Sequence, residues 1–428
     1  MATALLLRQV HVLEGPGQPP SQRDVWLEGR HFRGWDGWAP SPSSADGVRE
    51  IDAQGWWLAP PLVDPHSVLE EPWLGRSETL LSLSRAAAMG GYGTLALLPW
   101  ARPSRDRPEL LQLAWPEPLR LALWGSFSAG GADQDLALHA EQIEAGALGI
   151  AGSDSLPPLA LLERGLRLGE MGRSPVLLAP RDPSLAPEGF VRERVEALRA
   201  GWPTDPPLSE TLPLQTLLSL QAAHPEVNLR LMNLSSKEAV ALLQAHPVPP
   251  AASVSWWHLV VDSGMLHPAD EGWRVVPSLG GPEDRRALIE SLRQGVLSAV
   301  AVHHQPLDSE EQMLPLDQRK PGIAGHGIAL SMLWQELVDR QGWTAQELWQ
   351  ALCWGPSRFL NLPEEWLAPP TQRWVLWNPS HPWPSPAQER GSLAANLPTF
   401  PAGGLRGRVI ASGLVAQESW PLAAPLQC

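Results

Sequence analysis

Residues 51–66, IDAQGWWLAPPLVDPH, give the first indication of the fold of this 428-residue chain. Its apolar run Trp57–Val63 predicts a buried β-strand, because short apolar runs bounded by turn residues are typical of strands inside parallel sheets. Asp64 and His66 come where this strand ends. Enzymes built on parallel strands carry their functional side chains at those ends, so the stretch also predicts a site.

Strand-like and helix-like segments alternate after residue 66. A helical period over Glu78–Met89 is closed by Gly90-Gly91, and the next strand is predicted at Gly93–Leu98. Further strands are predicted at Leu119–Trp124, Ala147–Ala151, Pro175–Ala179, Val227–Met232, Ser253–Val261 and Leu297–Val302. Further helices are predicted at Leu159–Met171, Gly189–Ala200, Leu212–Ala223, Ser236–Ala245 and Pro282–Gln294. This alternation predicts an α/β fold with a (β/α)8 TIM-type barrel.

Both ends of the chain have a different texture, with short strands in a Gly- and Pro-rich setting. Strands are predicted at residues 4–12 and 23–29, and again at Trp374–Trp377 and Arg406–Ser412. We expect these segments to pair with one another. The predicted organisation is a small β-sandwich domain from residues 1–55 plus 361–428, and a barrel from residues 56–360.

Composition narrows the class of protein. Hydrophobic residues make up 43% of the chain, enough for a large core, and the net charge is −14. Nucleic acids and anionic membranes need a basic surface, so neither is an expected partner. The only cysteines, Cys353 and Cys428, cannot form a disulfide framework, and no apolar run reaches 18 residues. These features predict a cytoplasmic protein.

Five short motifs follow one another along the chain. They are Leu62-Val63-Asp64-Pro65-His66, Asn233-Leu234-Ser235-Ser236, Trp256-Trp257-His258-Leu259, Gly355-Pro356-Ser357-Arg358 and Leu405-Arg406-Gly407-Arg408-Val409. Together they resemble the dihydroorotase branch of the amidohydrolase superfamily across nearly the whole chain. That resemblance implies a zinc site that makes hydroxide near neutral pH and polarises a cyclic amide.

Most positions that the resemblance assigns to zinc carry other residues. His66 matches the first ligand of the family's His-x-His motif, whereas Val68 stands at the second and has no lone pair. Asp154 falls near the bridging carboxylate, although an aspartate in a Ser/Gly turn is usually a turn former. Pro180 and Asn233 stand where the family has further histidine ligands.

The positions implied for catalysis and substrate binding are changed as well. His303 replaces the family's catalytic aspartate and Leu307 its final histidine, while His304 matches. Glu70 replaces an arginine that grips the substrate carboxylate, which turns attraction into repulsion. Trp100 replaces an asparagine and is expected to fill space meant for substrate.

A different metal site is an alternative. His66, His258, His303 and His304 would all project from strand ends, and three of them would suffice for one zinc. Against it, His303 and His304 are adjacent, and adjacent residues of a strand point to opposite faces. Only one of the two would then face a pocket.

Three functions follow. The first is a catalytically inactive dihydroorotase-like protein of pyrimidine biosynthesis that needs no cofactor. By family analogy it would act as a structural partner of aspartate carbamoyltransferase, and its 22 tryptophans hint at such an interface. The second is an active dihydroorotase or related cyclic amidase with zinc at an altered site. The third is a hydrolase of an unrelated substrate that uses His66, His258 and His304.

Overall fold

A computed structural model describes residues 4–38, 48–113, 115–267, 271–383, 391–397 and 404–423. Cys428 lies outside these residues. The strands are β1 (Ala4–Val12), β2 (Ser21–Glu28), β3 (His31–Trp35), β4 (Arg49–Asp52), β5 (Trp57–Ala59), β6 (Leu62–Ser67), β7 (Tyr92–Leu97), β8 (Arg120–Leu123), β9 (Gly125–Ser126), β10 (Ile150–Ala151), β11 (Val176–Leu178), β12 (Val191–Arg192), β13 (Thr204–Asp205), β14 (Leu229–Leu231), β15 (Ala251–Ser255), β16 (Ala299–Ala301), β17 (Val375–Pro382) and β18 (Arg406–Ser412).

The α-helices alternate with the middle strands and then dominate the last third of the chain. They are α1 (Leu80–Met89), α2 (His139–Glu144), α3 (Leu159–Leu168), α4 (Val195–Ala200), α5 (Leu208–Ala223), α6 (Lys237–Ala245), α7 (Trp257–Val260), α8 (Pro282–Arg293), α9 (Ser309–Gln312), α10 (Ala329–Leu333), α11 (Ala345–Trp349) and α12 (Gly355–Phe359). Two π-helical segments, Trp334–Arg340 and Gln350–Trp354, follow α10 and α11. No helix within the described ranges is long and apolar enough to cross a membrane.

Strands from both ends of the chain form one seven-stranded sheet. Its order is β18-β17-β5-β1-β2-β3, with β4 paired to β1. The strand β5 pairs in parallel with β1 and antiparallel with β17, which joins the two ends. Leu7, Val25 and Trp374 are fully buried on the apolar side of this sheet. The predicted pairing of the two ends is therefore present.

The middle of the chain is built on parallel strands, as predicted. One sheet has the order β6-β7-β8 and a second has the order β16-β15-β14-β11-β10-β9. The chain passes from one sheet to the other at Trp124. The backbone N–H of Trp124 donates to Leu97 O over 3.0 Å. At the opposite edges, Val68 N donates to His304 O over 2.8 Å. This is a mixed α/β fold whose strand ends bring β6 and β16 together.

The prediction of a single strand at Trp57–Val63 is wrong. The run forms β5 and β6, which belong to different sheets. Pro60 and Pro61 interrupt it, and proline has no N–H for a ladder hydrogen bond. The break therefore lets the chain leave the end sheet and enter the parallel one.

Two other predicted elements change type part-way. Ser253–Val261 was expected to be a strand, but β15 ends at Ser255 and the chain turns into α7. Gly189–Ala200 was expected to be a helix, but it contains β12 before α4 begins at Val195. Tertiary burial overrides local propensity in both places, since Trp257 and Arg192 become fully buried.

Tryptophan serves mainly the core. Trp124, Trp256, Trp257, Trp349, Trp354, Trp374 and Trp377 are each less than 2% exposed. Among the described tryptophans, the large exposures are those of Trp73 and Trp366. The number of tryptophans is thus a weak indicator of an interface.

Candidate functional site at the ends of the parallel strands

A pair of histidines occupies the centre of the site. His66 lies at the end of β6 and His303 follows β16, and their Nδ1 atoms are 2.9 Å apart. His66 Nε2 also lies 2.9 Å from Ser253 Oγ on β15. Both rings are at most 2% exposed. A hydrogen bond between two ring nitrogens requires one of them to be unprotonated, so the pair cannot be doubly charged.

Burial keeps these histidines neutral. It lowers the pKa of His66 to about 4 and that of His303 well below its ordinary value, which the neighbouring His66 lowers further. His303 also has a φ of +46°, and Asn233 at the end of β14 has a φ of +53°. Left-handed backbone at a residue other than glycine is uncommon and clusters at functional sites.

His304 points away from this pair, although neither histidine lies in a strand, because β16 ends at Ala301 and His303 has a left-handed backbone. Its Nδ1 accepts a hydrogen bond from Gly325 N over 3.2 Å, so its Nε2 carries the proton and donates to Glu78 Oε2 over 3.0 Å. Glu78 also accepts from the hydroxyls of Ser82 and Ser392. Both ring nitrogens of His304 are thus engaged in structural hydrogen bonds.

His258 is buried on α7 near the pair. Burial, and next the charge of Arg192, lower the pKa of His258 to about 3. The ring of Trp257 packs near both histidines, with its centroid 6.1 Å from that of His258 and 5.9 Å from that of His303. Of the four histidines predicted as candidates, His66 and His303 are in contact, His258 is close, and His304 faces another cluster.

Several of the altered family positions line a small cavity. It measures about 20 Å³, the room of about one water molecule, and is lined by Trp100, Asp154, Pro180, Asn233 and His303 among others. Asn233 is 2% exposed, and neither its Oδ1 nor its Nδ2 has a hydrogen-bond partner among the described residues. This amide therefore faces the cavity without pairing to protein.

Val68 and Trp100 are two further altered positions near the histidine pair. Val68 is 5% exposed and belongs to an apolar cluster with Trp124 and Met232. Trp100 donates from Nε1 to Gly152 O over 2.9 Å and sets its ring perpendicular to that of His303, with centroids 5.8 Å apart. Side chains of ordinary core type thus stand where a ligand and a substrate contact were implied.

The indole of Trp100 stands at the boundary between the small cavity and an outer cleft of about 400 Å³. Glu70 lines this cleft and pairs with Arg102 at 3.0 Å and Lys320 at 3.9 Å. Asp154 is half-exposed and pairs with Arg181 at 3.0 Å. Both carboxylates are thus neutralised by cations at the rim.

Leu307 lies buried beside the outer cleft. Its backbone N–H donates to Asn396 Oδ1, and its carbonyl accepts from Ala395 N, each over 2.8 Å. The segment around residue 396 is thereby fixed on the strand ends.

Comparison with known proteins places this geometry in a family. No protein-family model matches the chain. A dihydroorotase-like protein of Synechocystis is 31% identical over 402 residues, which covers 84% of this chain and 89% of the relative. The chain belongs to the dihydroorotase family. Dihydroorotases of Solibacter usitatus and Listeria monocytogenes are each 27% identical, over 92% and 73% of this chain and 93% and 76% of the relatives.

Solved structures of related fold are hydantoinases. The L-hydantoinase of Arthrobacter aurescens matches with a TM-score of 0.73 at 16% identity, covering 96% of this chain and 94% of that chain. The D-hydantoinase of a Thermus species matches with the same TM-score at 18% identity. The dihydroorotase-family chain therefore has the hydantoinase-like amidohydrolase fold.

The residues present do not fit a dihydroorotase-type zinc centre. Among the described residues, no group of three or more His, Cys, Asp or Glu side chains is arranged to hold a metal ion. A catalytic zinc takes three protein ligands with free lone pairs. Val68 has none, both nitrogens of His304 are engaged, and His66 is hydrogen-bonded to His303.

Two clusters of buried charged side chains lie beside the site, and the sequence pattern did not predict either of them. His326 Nε2 donates to Asp64 Oδ2 over 2.9 Å, and Val302 N donates to Asp64 Oδ1 over 2.9 Å. Burial alone would raise the pKa of Asp64, but His326 and the hydroxyl of Ser67 lower it below its ordinary value. Asp64 stood out in the sequence at the end of a predicted strand, but its pairing with His326, 262 positions away, did not.

Arg192 is the centre of the second cluster. Its guanidinium is fully buried and lies 3.1 Å from Asp205 and 3.6 Å from Glu210. It also donates to the hydroxyls of Ser209 and Ser235. Because this arginine fell inside a segment predicted to be helical, nothing in the local pattern indicated a buried cation.

The neutral histidines predict that the protein loses stability in mild acid. In the unfolded chain a histidine has a pKa of about 6.5, so below that value unfolding takes up protons that buried His66, His258 and His303 do not bind. The stability is fully present above about pH 6.5 and falls by up to about 1.4 kcal/mol per pH unit for each group. Urea unfolding at several pH values measures this slope.

Two substitutions, one of them a control, test this assignment. His258→Gln should flatten the slope by about one proton, since glutamine does not titrate. Gln244→Ala, at an exposed residue of α6 that does not titrate, should leave the slope unchanged. A free energy of unfolding that does not change between about pH 7 and about pH 5 would contradict the assignment of neutral buried histidines.

Proposed function

We propose that this chain is a catalytically silent member of the dihydroorotase family, which serves pyrimidine biosynthesis as a structural partner of aspartate carbamoyltransferase. The observation that carries the proposal is the direct 2.9 Å contact between His66 and His303 beside the apolar Val68. In that arrangement the one retained family ligand pairs with the residue that replaces the catalytic aspartate.

The chemistry of the pocket supports the proposed lack of catalytic activity. Hydrolysis of a cyclic amide needs a hydroxide nucleophile and a base that moves its proton. Here the candidate base His303 is buried with a strongly lowered pKa, so it is a weak proton acceptor. The cavity of about 20 Å³ has no room for a dihydropyrimidine ring.

The active alternative is a dihydroorotase or cyclic amidase with zinc at an altered site. It requires Trp100 to swing out of the boundary between the two cavities and His66 to leave His303. Each movement breaks a hydrogen bond, from Trp100 Nε1 to Gly152 O and between the two Nδ1 atoms. We therefore favour the silent form.

The proposed architecture is a closed (β/α)8 barrel over residues 56–360, with a β-sandwich domain from residues 1–55 plus 361–428. Closure between β6 and β16 is supported by the hydrogen bonds from Val68 N to His304 O and from Val302 N to Asp64 Oδ1. The sheet that joins both chain ends supports the second domain. A cytoplasmic location is part of the same proposal.

Co-purification tests the partnership. The tagged protein, isolated from its native cell, should bring down aspartate carbamoyltransferase in a defined ratio, and the purified pair should co-migrate in sedimentation. Deletion of the gene should change the size of the transferase assembly. A protein that sediments alone, beside a transferase that keeps its size and activity without it, would rule the partnership out.

A further inference from the structure

Two neighbouring loops at the strand ends expose large apolar side chains. Trp73 is 68% exposed and Leu74 87% on the loop between β6 and α1, and Met313 is 78% exposed and Leu314 38% just after α9. We name these four side chains the mouth patch. An ion pair between Arg76 and Glu310 joins the two loops, so these side chains lie on adjacent turns, and exposed apolar patches mark interaction sites.

Polar contacts hold the two loops together. Arg76 Nη1 lies 3.0 Å from Glu310 Oε2 and bridges them, and Lys320 Nζ lies 2.9 Å from Glu311 and 3.9 Å from Glu70. Backbone hydrogen bonds fix the first loop, with Gly75 N donating to Glu71 O. The mouth patch is therefore presented by bridged turns, which lowers the entropy that a partner must remove.

The charges around the mouth patch select the kind of partner. Apart from the buried Glu78, the two loops carry six carboxylates against three cations, a net charge of −3, from Glu70, Glu71, Asp308, Glu310, Glu311 and Asp317 against Arg76, Arg319 and Lys320. The whole chain has a net charge of −14, so a second copy would be repelled. Nucleic acids and anionic membranes would be repelled for the same reason.

We propose that the mouth patch is the docking surface for a protein whose contact face has an apolar centre framed by lysine and arginine. Tryptophan and methionine are enriched at the centres of protein interfaces, and charged residues surround them at the rim. This inference deepens the proposed function and rests on it, because it names the surface through which a silent protein would work.

Site-specific photo-crosslinking in the native cell tests the proposal. A photo-reactive amino acid at Leu74 or Met313 should give an adduct of the same mass with one partner. The matched controls are Leu198 and Val248, which are 67% and 70% exposed elsewhere on the surface and should give no such adduct. Trp73→Ser should abolish the adduct at Leu74 and leave the urea midpoint unchanged.

Charge reversal separates this surface from general stickiness. Glu71→Lys with Asp317→Lys, which spares the Arg76–Glu310 bridge, should lower the adduct yield several-fold, and added salt should lower it in the unchanged protein. No adduct at either loop, equal adducts at all four positions, or a crosslink within the chain itself would overturn the proposal.

The identity of the adduct separates the two proposals. Aspartate carbamoyltransferase in the adduct would support both. A different protein, captured with the same dependence on Trp73 and on charge, would support the mouth patch as a docking surface. It would count against the transferase as the partner.

Discussion

Asp64→Ala should lower the free energy of unfolding by about 3–5 kcal/mol. Asp64 is fully buried and accepts hydrogen bonds from His326 Nε2, Val302 N and the Ser67 hydroxyl. Removing the carboxylate leaves these three donors buried without an acceptor, and each such donor costs about 1–3 kcal/mol. Urea unfolding followed by tryptophan fluorescence measures the loss.

The matched control for this prediction is Asp154→Ala. Asp154 is half-exposed and pairs with Arg181 at 3.0 Å, so its removal should cost no more than about 1 kcal/mol. Equal losses for the two variants would mean that Asp64 does not hold β6 against β16.

Arg192→Ala should be as damaging, by about 3–5 kcal/mol near neutral pH. The substitution leaves the carboxylates of Asp205 and Glu210 buried without their cation. Burial already raises the pKa of Glu210 above its ordinary value, and loss of the arginine would raise it further. The deficit should therefore shrink as pH falls, because the carboxyls can then take up protons.

Arg199→Ala serves as the control on the neighbouring helix, since Arg199 is exposed and its loss should be almost neutral. Paired urea titrations at about pH 7 and about pH 5 give the comparison. A deficit of Arg192→Ala that is small, or that grows in acid, would contradict a role for Arg192 in neutralising the two carboxylates.

Local sequence patterns predicted the strands and helices where local physics decides them. β18 runs from Arg406 to Ser412 as predicted, and α6 ends at Ala245 as predicted. The division of Trp57–Val63 into two strands was not predicted because both halves are apolar. The two strands differ only in the sheet to which each belongs. Proline in the middle of that run was the available signal.

The site was predictable as a set of positions but not as a set of contacts. The resemblance placed His66, Asn233 and His303 near one another, and the structure brings them around one small cavity or into direct contact with its lining. The pairing of His304 with Glu78 joins residues 226 positions apart, so no local pattern could reveal it. Long-range pairing depends on the assembled strand ends rather than on sequence spacing.

Metal content and turnover, measured on one preparation, test the central claim most directly. We expect the protein, purified and then incubated with zinc, to retain far less than one zinc per chain by elemental analysis and to hydrolyse no dihydroorotate. Val68→His should behave in the same way, because the missing groups act as a unit. Stoichiometric zinc together with turnover that His66→Ala abolishes would contradict the account.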